Sequence, residues 1–517
     1  MTAHAGVNPP RERLGTGSYL FGFAVAVFVG VLSLASTPEG LLVGQGDPAY
    51  YLATSESLAA GDGYRTPFGD VERTITQWPP GYPALLSIGV SLGFDSHDVA
   101  RFTGVLTISL LGFLLFLYAR RRSLGLLGST LVALVAAVAS FRYMLEPRSE
   151  LTYGLLVLAT LALLGKYASV KGTSYLAAAS LVAASSVAVR FAGVALVATV
   201  VIVAFLVADR FRTRLVHASS ALALGLVPLV LFSAGRRELL WHPPSLDDFK
   251  IMANAIAGWF VPPVGSPTQR FAVFTLAVLV GGLLWIVRTR KGEETRPSKQ
   301  FRRWLPGTVS AGAHLLVLLV VRTFLRTGVR LTTRLLYPVA ISLLVAAVGW
   351  LGQREDSTSK KTHTARALAV FGVAALIAGS WSAILDASAT RGGDLHYRSA
   401  SFVESPVVLA TATAIPESYV YSNVTDGLWV AGLDGARLRD TPRLTDPELR
   451  PNEFLEPEIE EMASRVGNGL AVIFFYRLHE RPYLVDEPEL RRIAPCVIAE
   501  DNEAVLLAGL NHSLCQP

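Results

Sequence analysis

The chain has 517 residues, of which 51% are hydrophobic and 17% are charged, and its formal net charge is +6. This balance is too apolar for a soluble protein of that length. The positive charge is spread along the sequence without a basic stripe interleaved with aromatic residues, which argues against a nucleic-acid partner. Only two cysteines occur, and the sequence lacks the CxxC, HExxH and Walker-type patterns of common metal, redox and nucleotide sites.

Hydrophobic runs that are long enough to cross a bilayer recur as far as residue 385. A crossing needs roughly 20 apolar residues, because each helical residue rises about 1.5 Å. The sequence predicts a polytopic α-helical membrane domain over 1–385 and a separate C-terminal domain over 386–517. The eleven predicted crossings lie near 17–36, 102–118, 123–141, 151–165, 172–189, 191–208, 215–235, 271–287, 304–321, 335–352 and 367–385.

The distribution of lysine and arginine predicts the orientation. With the N-terminus in the cytoplasm, the cytoplasmic stretches hold 21 Lys+Arg in 62 residues and the external stretches hold 14 in 123. This difference has the sign that the positive-inside rule requires. We therefore expect a multi-pass protein of the cytoplasmic membrane, with the C-terminal domain and the long loop 37–101 on the extracytoplasmic side.

The loop 37–101 contains a predicted helix that begins at Asp47 and Pro48 and runs to Ala60. Asp is a good N-cap, and Pro suits the first helical position. Apolar residues recur at helical spacing from Ala49, which favours a helix that lies along the membrane surface. On local sequence alone, Asp47 is explained as the cap of this helix.

Several short motifs, taken together and in order, resemble the GT-C membrane glycosyltransferases. The closest branch is family 39, which contains the protein O-mannosyltransferases and the lipid A aminoarabinose transferases. The motifs are Asp47-Pro48-x-Tyr50-Tyr51, Pro79-Pro80-Gly81-Tyr82-Pro83, Glu150 at the start of a crossing, Arg334-Leu335-Leu336-Tyr337-Pro338, and in the tail Val420-Tyr421-Ser422-Asn423 followed by Gly435-Ala436-Arg437.

The resemblance implies transfer of a sugar from a polyprenyl-phosphate carrier to an acceptor hydroxyl outside the cytoplasmic membrane, with inversion at the anomeric carbon. It implies that Asp47 is the general base and that Glu150 orients the acceptor or an arginine. The motif residues Tyr50, Tyr51 and Tyr337 are expected to bind substrate. The acceptor is a protein, a lipid or a polysaccharide. No cofactor is expected, although Asp47 and Glu150 together leave a divalent cation open.

Four arginines in the external loop 322–334 break the positive-inside trend. They are Arg322, Arg326, Arg330 and Arg334. Arginine suits the carrier phosphate because its planar fork donates two parallel hydrogen bonds. The alternative is contact with lipid headgroups at the interface. Arg334 is assigned to the phosphate because it also lies in the family motif. Arg330 is a further candidate for substrate binding, but contact with lipid headgroups explains Arg322, Arg326 and Arg330 at least as well.

Two more charged positions lie at predicted external helix ends. Arg190 separates two crossings, where it completes the phosphate site or only marks the turn. Arg148 lies between Glu146 and Glu150, where a salt bridge with a neighbouring carboxylate is the structural alternative to a functional site.

The tail alternates strand-like and helical runs, which predicts a small α/β domain. Tyr419–Ser422 and 471–476 are predicted strands, and 496–498 with 504–507 is a predicted closing pair. Cys496 and Cys515 are either a disulfide or two free thiols. The competing functions are a lipid or glycan transporter, which predicts inverted repeats and broken helices, and a non-catalytic envelope protein whose tail binds a partner.

Overall fold

A computed structural model describes the chain over 14–35, 47–66, 68, 79–141, 143–233, 301–324, 333–351, 397, 399–414, 419–433, 437–444, 452–479 and 484–515. Helices dominate as far as residue 351, and a five-stranded sheet follows in the tail. The chain is therefore a helical membrane protein with a small C-terminal α/β domain, as predicted.

Nine of the eleven predicted crossings coincide with helices of the described residues, and the other two, 271–287 and 367–385, lie outside them. The helices are α1 Thr16–Ala35, α2 Asp47–Ala60, α3 Gly81–Ser91, α4 Ser96–Arg121, α5 Leu126–Phe141, α6 Glu150–Val170, α7 Thr173–Val189, α8 Val194–Val207, α9 Phe211–Ser233, α10 Phe301–Phe324 and α11 Thr333–Leu351. A short 3₁₀ helix, Phe191–Gly193, joins α7 to α8.

Within the described residues, three helices are both long enough and apolar enough to cross a membrane: α1, α4 and α6. Shorter apolar helices include α5, α7, the 3₁₀ turn with α8, and most of α11. Apolar runs form helices in a bilayer because a helix satisfies its own backbone hydrogen bonds there. Which ends of these helices face the cytoplasm stays a prediction.

Helix α6 is the central helix of the bundle, since it packs against α4, α7, α8, α10 and α11. Two glycines bring the backbones of α10 and α11 close together. A Cβ at Gly307 would lie 2.6 Å from the Ser342 carbonyl oxygen, and one at Gly349 would lie 2.7 Å from the Arg303 carbonyl oxygen. Small residues at such a crossing allow close packing where lipid provides no hydrophobic drive. The crossing holds α10 tightly against the middle and the end of α11.

The predicted α2 helix forms, but it is more buried than a helix on a membrane surface. Tyr51, Leu52 and Ala53 are each at most 2% exposed. Helices α3 and α4 pack against α2, and a short tail helix, α14 (Thr425–Val430), also contacts it. Its position along a membrane surface stays a prediction.

The tail forms a mixed sheet with the strand order β2-β1-β3-β5-β4. The strands are β1 Tyr419–Ser422, β2 Arg437–Asp440, β3 Ala471–Tyr476, β4 Cys496–Glu500 and β5 Ala504–Ala508. Strands β2, β1 and β3 are parallel, whereas β5 is antiparallel to both β3 and β4. The helices are α12 Ala400–Val403, α13 Pro406–Ala414, α14, α15 Leu455–Gly467 and α16 Glu487–Ile493. Strands β3 and β5 are fully buried, which explains their unbroken apolar sequences.

Aromatic rings join the tail to the membrane bundle. The Phe68 ring lies 5.6 Å from the Trp429 ring of α14 and 5.0 Å from the Tyr50 ring of α2, between ring centroids. Phe68 and Trp429 are both buried. The tail domain therefore lies at the end of the bundle where α2 begins.

Cys496 and Cys515 form a disulfide that closes a loop of 19 residues. In the chain-entropy account, a disulfide that closes a loop of this length lowers the entropy of the unfolded chain and raises the free energy of unfolding by about 3 kcal/mol. We expect Cys496→Ser with Cys515→Ser to lower the unfolding free energy of the tail by about that amount. Thermal unfolding of the detergent-solubilised protein, with and without reductant, measures it. Equal midpoints for wild type under both conditions, with the thiols shown to be reduced, would contradict the expectation.

Candidate functional site

Four charged side chains meet at the end of the bundle that carries the tail domain. They are Asp47, Glu150, Arg190 and Arg334, and we call them the charge cluster. Asp47 is the first residue of α2 and Glu150 the first of α6, whereas Arg190 follows α7 and Arg334 lies in the first turn of α11. The chain thus brings together residues as far apart as 47 and 334.

The guanidinium of Arg334 is shared between two carboxylates. Its Nη2 pairs with Asp47 Oδ2 and its Nε pairs with Glu150 Oε1. Arg190 Nη1 lies 2.8 Å from the same Glu150 oxygen. The cluster is therefore a chain of alternating charges, Asp47 to Arg334 to Glu150 to Arg190, with two positive and two negative groups.

Burial makes this pairing necessary. The Glu150 side chain is 2% exposed, Arg190 is 14% exposed and Asp47 is 16% exposed. A buried charge is costly unless it is paired and hydrogen-bonded. The helix dipoles favour carboxylates at the starts of α2 and α6 and a cation at the end of α7, but they oppose Arg334 at the start of α11. The two carboxylates offset that unfavourable position.

Neutral side chains hold the cluster in place. Ser149 Oγ accepts from Arg190 Nη1 at 3.1 Å and lies 3.2 Å from the Tyr51 hydroxyl. The Tyr51 ring packs edge-on against Tyr82 at 5.1 Å. Burial, with the nearby Asp47 charge, raises the pKa of Tyr51, so its hydroxyl stays protonated at neutral pH. Sequence reasoning missed Ser149, although it lies inside the charged segment 146–150.

The Pro79–Pro83 motif has a structural role next to Arg190. A Cβ at Gly81 would lie 2.6 Å from the Ala188 carbonyl oxygen. Only glycine lets the start of α3 approach the end of α7 this closely. The motif thereby supports the segment that carries Arg190 and presents Tyr82 to Tyr51.

A second network lies about one helical turn below the cluster. Tyr153, one turn after Glu150 on α6, places its hydroxyl 2.7 Å from His314 Nε2 and 2.9 Å from the Ala192 carbonyl oxygen. His314 Nδ1 lies 2.8 Å from the Ser310 carbonyl oxygen. These contacts tie α10 to the 3₁₀ turn that follows Arg190, and polar side chains between membrane helices commonly bond across helices in this way.

The other predicted site residues have different surroundings. The Tyr337 hydroxyl lies 2.7 Å from Ser140 Oγ. The Tyr337 ring packs directly against Gly154, where an added Cβ would lie 2.5 Å from a ring carbon. Tyr337 therefore locks α11 against α5 and α6. The Tyr50 ring packs edge-on against Phe68. Substrate contacts by these tyrosines stay predictions.

The structure bears differently on the predictions for Arg148, Arg330 and Arg190. Arg148 Nε donates to Glu146 Oε2 at 2.6 Å, so the predicted local salt bridge is with Glu146 and leaves Glu150 to the charge cluster. Arg330 and Arg326 lie outside the described residues, as does the side chain of Arg322. Arg190 marks the break after α7, as one of its two interpretations predicted, and it pairs with Glu150. Its contact with a carrier phosphate stays a prediction.

A metal ion would need a different arrangement of these side chains. Asp47 and Glu150 share Arg334, so a divalent cation between the two carboxylates would have to displace that guanidinium. In the described part of the chain, no three or more histidine, cysteine or acidic side chains come together as ligands.

No protein-family model matches the chain, and no curated protein matches it. ArnT from Cupriavidus metallidurans, solved bound to undecaprenyl phosphate, is similar in structure with a TM-score of 0.56 at 16% identity, over 97% of this chain and 100% of that one.

Two other solved structures match less closely. The oligosaccharyltransferase AglB from Archaeoglobus fulgidus, in complex with an inhibitory peptide and a dolichol-phosphate, has a TM-score of 0.46 at 12% identity, over 89% of this chain and 70% of that one. The arabinosyltransferase EmbB from Mycobacterium smegmatis has a TM-score of 0.32 at 13% identity, over 75% and 42%. The full-length likeness to ArnT is the one that decides the fold: this chain has the fold of the GT-C membrane glycosyltransferases.

Proposed function

We propose that this chain is a membrane glycosyltransferase that moves a sugar from a polyprenyl-phosphate carrier to an acceptor hydroxyl, with Asp47 as the general base. The observation that carries the proposal is the charge cluster, which combines carboxylates and arginines beside the tail domain. The GT-C fold supports it. The bound undecaprenyl phosphate of ArnT supports a carrier of that class.

The charge balance of the cluster suggests how the donor enters. Two arginines and two carboxylates sum to zero, so a carrier phosphate adds an uncompensated negative charge. Arg334 is the side chain best placed to accept it, because exchanging one anionic partner for another keeps the guanidinium paired. In this proposal the phosphate replaces Asp47 at Arg334, while Glu150 keeps its contact with Arg190.

Displacement of Asp47 would prepare the chemical step. The freed carboxylate accepts the proton of the acceptor hydroxyl while the oxygen of that hydroxyl forms a bond to the anomeric carbon. The bond from that carbon to the phosphate oxygen breaks at the same time, and the carrier leaves with the electron pair as polyprenyl phosphate. Arg334 stabilises the charge that develops on the leaving phosphate. A single displacement of this kind inverts the anomeric centre.

The position of the cluster also supports the proposed topology. Asp47, Glu150, Arg190 and Arg334 all belong to helix ends that the sequence predicts to be extracytoplasmic, and the structure has them at one end of the bundle. We propose that reaction and tail both face the outside of the cytoplasmic membrane, with the N-terminus inside. We also propose a functional division at about residue 385, with the membrane domain catalytic.

A donor panel tests the proposed function. Membranes that contain the wild-type chain are supplied with radiolabelled polyprenyl-phosphate sugars, with mannose first because of the family resemblance, and with nucleotide sugars in parallel. We expect label to reach a membrane or envelope acceptor only from the lipid-linked donors. Transfer no greater than that of membranes without the chain would contradict a glycosyltransferase and favour the transporter or binding-protein alternatives.

Arg334→Lys probes the proposed phosphate contact. A lysine ammonium is a point charge and cannot hold two anions with the geometry of the planar guanidinium. We expect the KM for the lipid-linked donor to rise about tenfold, which corresponds to roughly 1.4 kcal/mol. Transfer kinetics at varied donor concentration measure it, and Arg101→Lys is the matched control, because Arg101 donates to the Leu34 carbonyl on the same side of the bundle.

A further inference from the structure

Three arginines of the tail domain converge on one tyrosine. Tyr419 opens β1, and the guanidinium carbons of Arg437, Arg439 and Arg465 lie 5.2, 5.0 and 4.1 Å from the centre of its ring. Arg437 Nη1 also donates to the Tyr419 hydroxyl at 3.2 Å. We call these four residues the arginine surface.

The sheet register explains why the side chains meet. Tyr419 is the register partner of Arg437 in the parallel β1–β2 pair, and Tyr421 is the partner of Arg439. Residues two apart on a strand lie on the same face, so Arg437 and Arg439 both face the side of the sheet on which Tyr419 lies. Helix α15 packs over that face and contributes Arg465.

Among the side chains that the structure describes, the arginine surface carries excess positive charge. Within the described residues, the carboxylate paired with it is that of Glu461, 2.6 Å from Arg465 and 3.5 Å from Arg439. Elsewhere in the same domain, Arg477 and Arg491 are matched by two carboxylates, Glu487 and Glu500. Three guanidinium groups around one ring repel each other unless anions are nearby. The arrangement is therefore suited to an anionic ligand.

Tyr419 reports this positive potential. Hydrogen bonds from Arg465 and Arg437 hold the pKa of its hydroxyl below the ordinary value, although the residue is partly exposed. An anion bound among the same arginines would cancel part of that charge and raise the pKa of Tyr419.

The arginine surface lies at the end of the sheet away from the membrane bundle. Strand β1 begins at Tyr419 and ends at Ser422, and α14, which contacts α2, follows at Thr425. Four strand residues span roughly 10 Å. The opposite end of β1 leads to the bundle contact, which favours a ligand beyond the membrane over lipid headgroups.

We infer that the arginine surface of Tyr419, Arg437, Arg439 and Arg465 binds phosphate or carboxylate groups of a polyanionic acceptor. Arginine suits both groups because its fork donates two parallel hydrogen bonds to a pair of anionic oxygens. The surface would raise the local concentration of the acceptor near the charge cluster. Binding of an anion at this surface does not depend on the proposed function, whereas the identification of that anion as the acceptor rests on the proposed glycosyl transfer.

Binding is tested on the full chain in zwitterionic lipid nanodiscs, without any transfer assay. Inorganic polyphosphate and polygalacturonate are the probes, and isothermal titration gives the dissociation constants. We expect the triple variant Arg437→Gln, Arg439→Gln and Arg465→Gln to bind at least tenfold more weakly than wild type. Arg437→Gln alone should weaken binding a few-fold. Its matched control, Arg492→Gln, removes one exposed arginine of the same domain and should leave binding unchanged.

A spectroscopic readout separates direct binding from a loss of folding. The difference in phenolate absorbance between wild type and Tyr419→Phe reports the titration of Tyr419, and saturating polyphosphate should move it to higher pH. Equal affinity of wild type and the triple variant, or binding of neither probe by wild type, would overturn the inference. Arginine-dependent co-sedimentation with phosphatidylglycerol vesicles, together with indifference to both polymers, would overturn it in favour of a membrane contact. Failure of sugar transfer would refute the proposed function and leave these binding results standing.

Discussion

Asp47→Asn is expected to reduce sugar transfer by about 10²–10⁴-fold, the range that a positioned general base contributes. Asparagine has nearly the same shape and can still serve at the start of α2, but its amide cannot accept the acceptor's proton. The initial rate of label transfer from a polyprenyl-phosphate sugar, normalised to protein abundance, measures the loss. Because Asp47 leaves Arg334 in the proposed mechanism, donor KM should change far less than kcat.

Asp62→Asn is the matched control for this substitution. Asp62 lies exposed in the turn after α2, in the same predicted loop, and the change is chemically identical. We expect its transfer rate to remain within twofold of wild type. Equal rates for Asp47→Asn and wild type would reduce Asp47 to a helix-capping residue and refute the assignment of the base.

The hydrophobic pattern was sufficient to predict the membrane helices, since a bilayer leaves an apolar run few structures other than a helix. The buried strands β3 and β5 were also predictable, because their apolar runs are too short for crossings. Strand β2 was missed. Its sequence, Arg-Leu-Arg-Asp at 437–440, has one apolar residue among three charged ones. The strand lies at the edge of the sheet, where polar side chains can stay exposed and the sequence shows no apolar run.

The site residues were predictable only in part. Family resemblance indicated Asp47, Glu150 and Arg334 as separate positions, and local sequence favoured a cap for Asp47. Sharing of Arg334 between two carboxylates depends on how α2, α6 and α11 pack, and no local pattern encodes a contact across 287 residues. The ring contacts through Phe68 and Trp429 were missed for the same reason. Such contacts arise from tertiary packing, whereas hydrophobic periodicity reports only local structure.

Glu150→Gln is expected to destabilise the protein by about 3–5 kcal/mol, the usual cost of breaking a buried ion pair from one side. The carboxylate of Glu150 is shared by Arg190 and Arg334, so its loss leaves both guanidinium groups facing a neutral amide. Thermal unfolding of the detergent-solubilised protein, followed by tryptophan fluorescence, measures the effect. Glu146→Gln is the control. Its pair with Arg148 is partly exposed, and such pairs contribute roughly 0–1 kcal/mol.

A double variant distinguishes lost pairing from lost packing at this position. Adding Arg190→Gln to Glu150→Gln removes the cation that is left uncompensated, because Arg334 keeps its pair with Asp47, so part of the lost stability should return. Arg190→Gln alone leaves Glu150 paired with Arg334 and should cost less than Glu150→Gln. If the double variant were instead destabilised by the sum of the two single changes, Glu150 would contribute through shape alone. The alternating charges would then not hold these helix ends together, and the proposed exchange of phosphate for Asp47 at Arg334 would lose its physical basis.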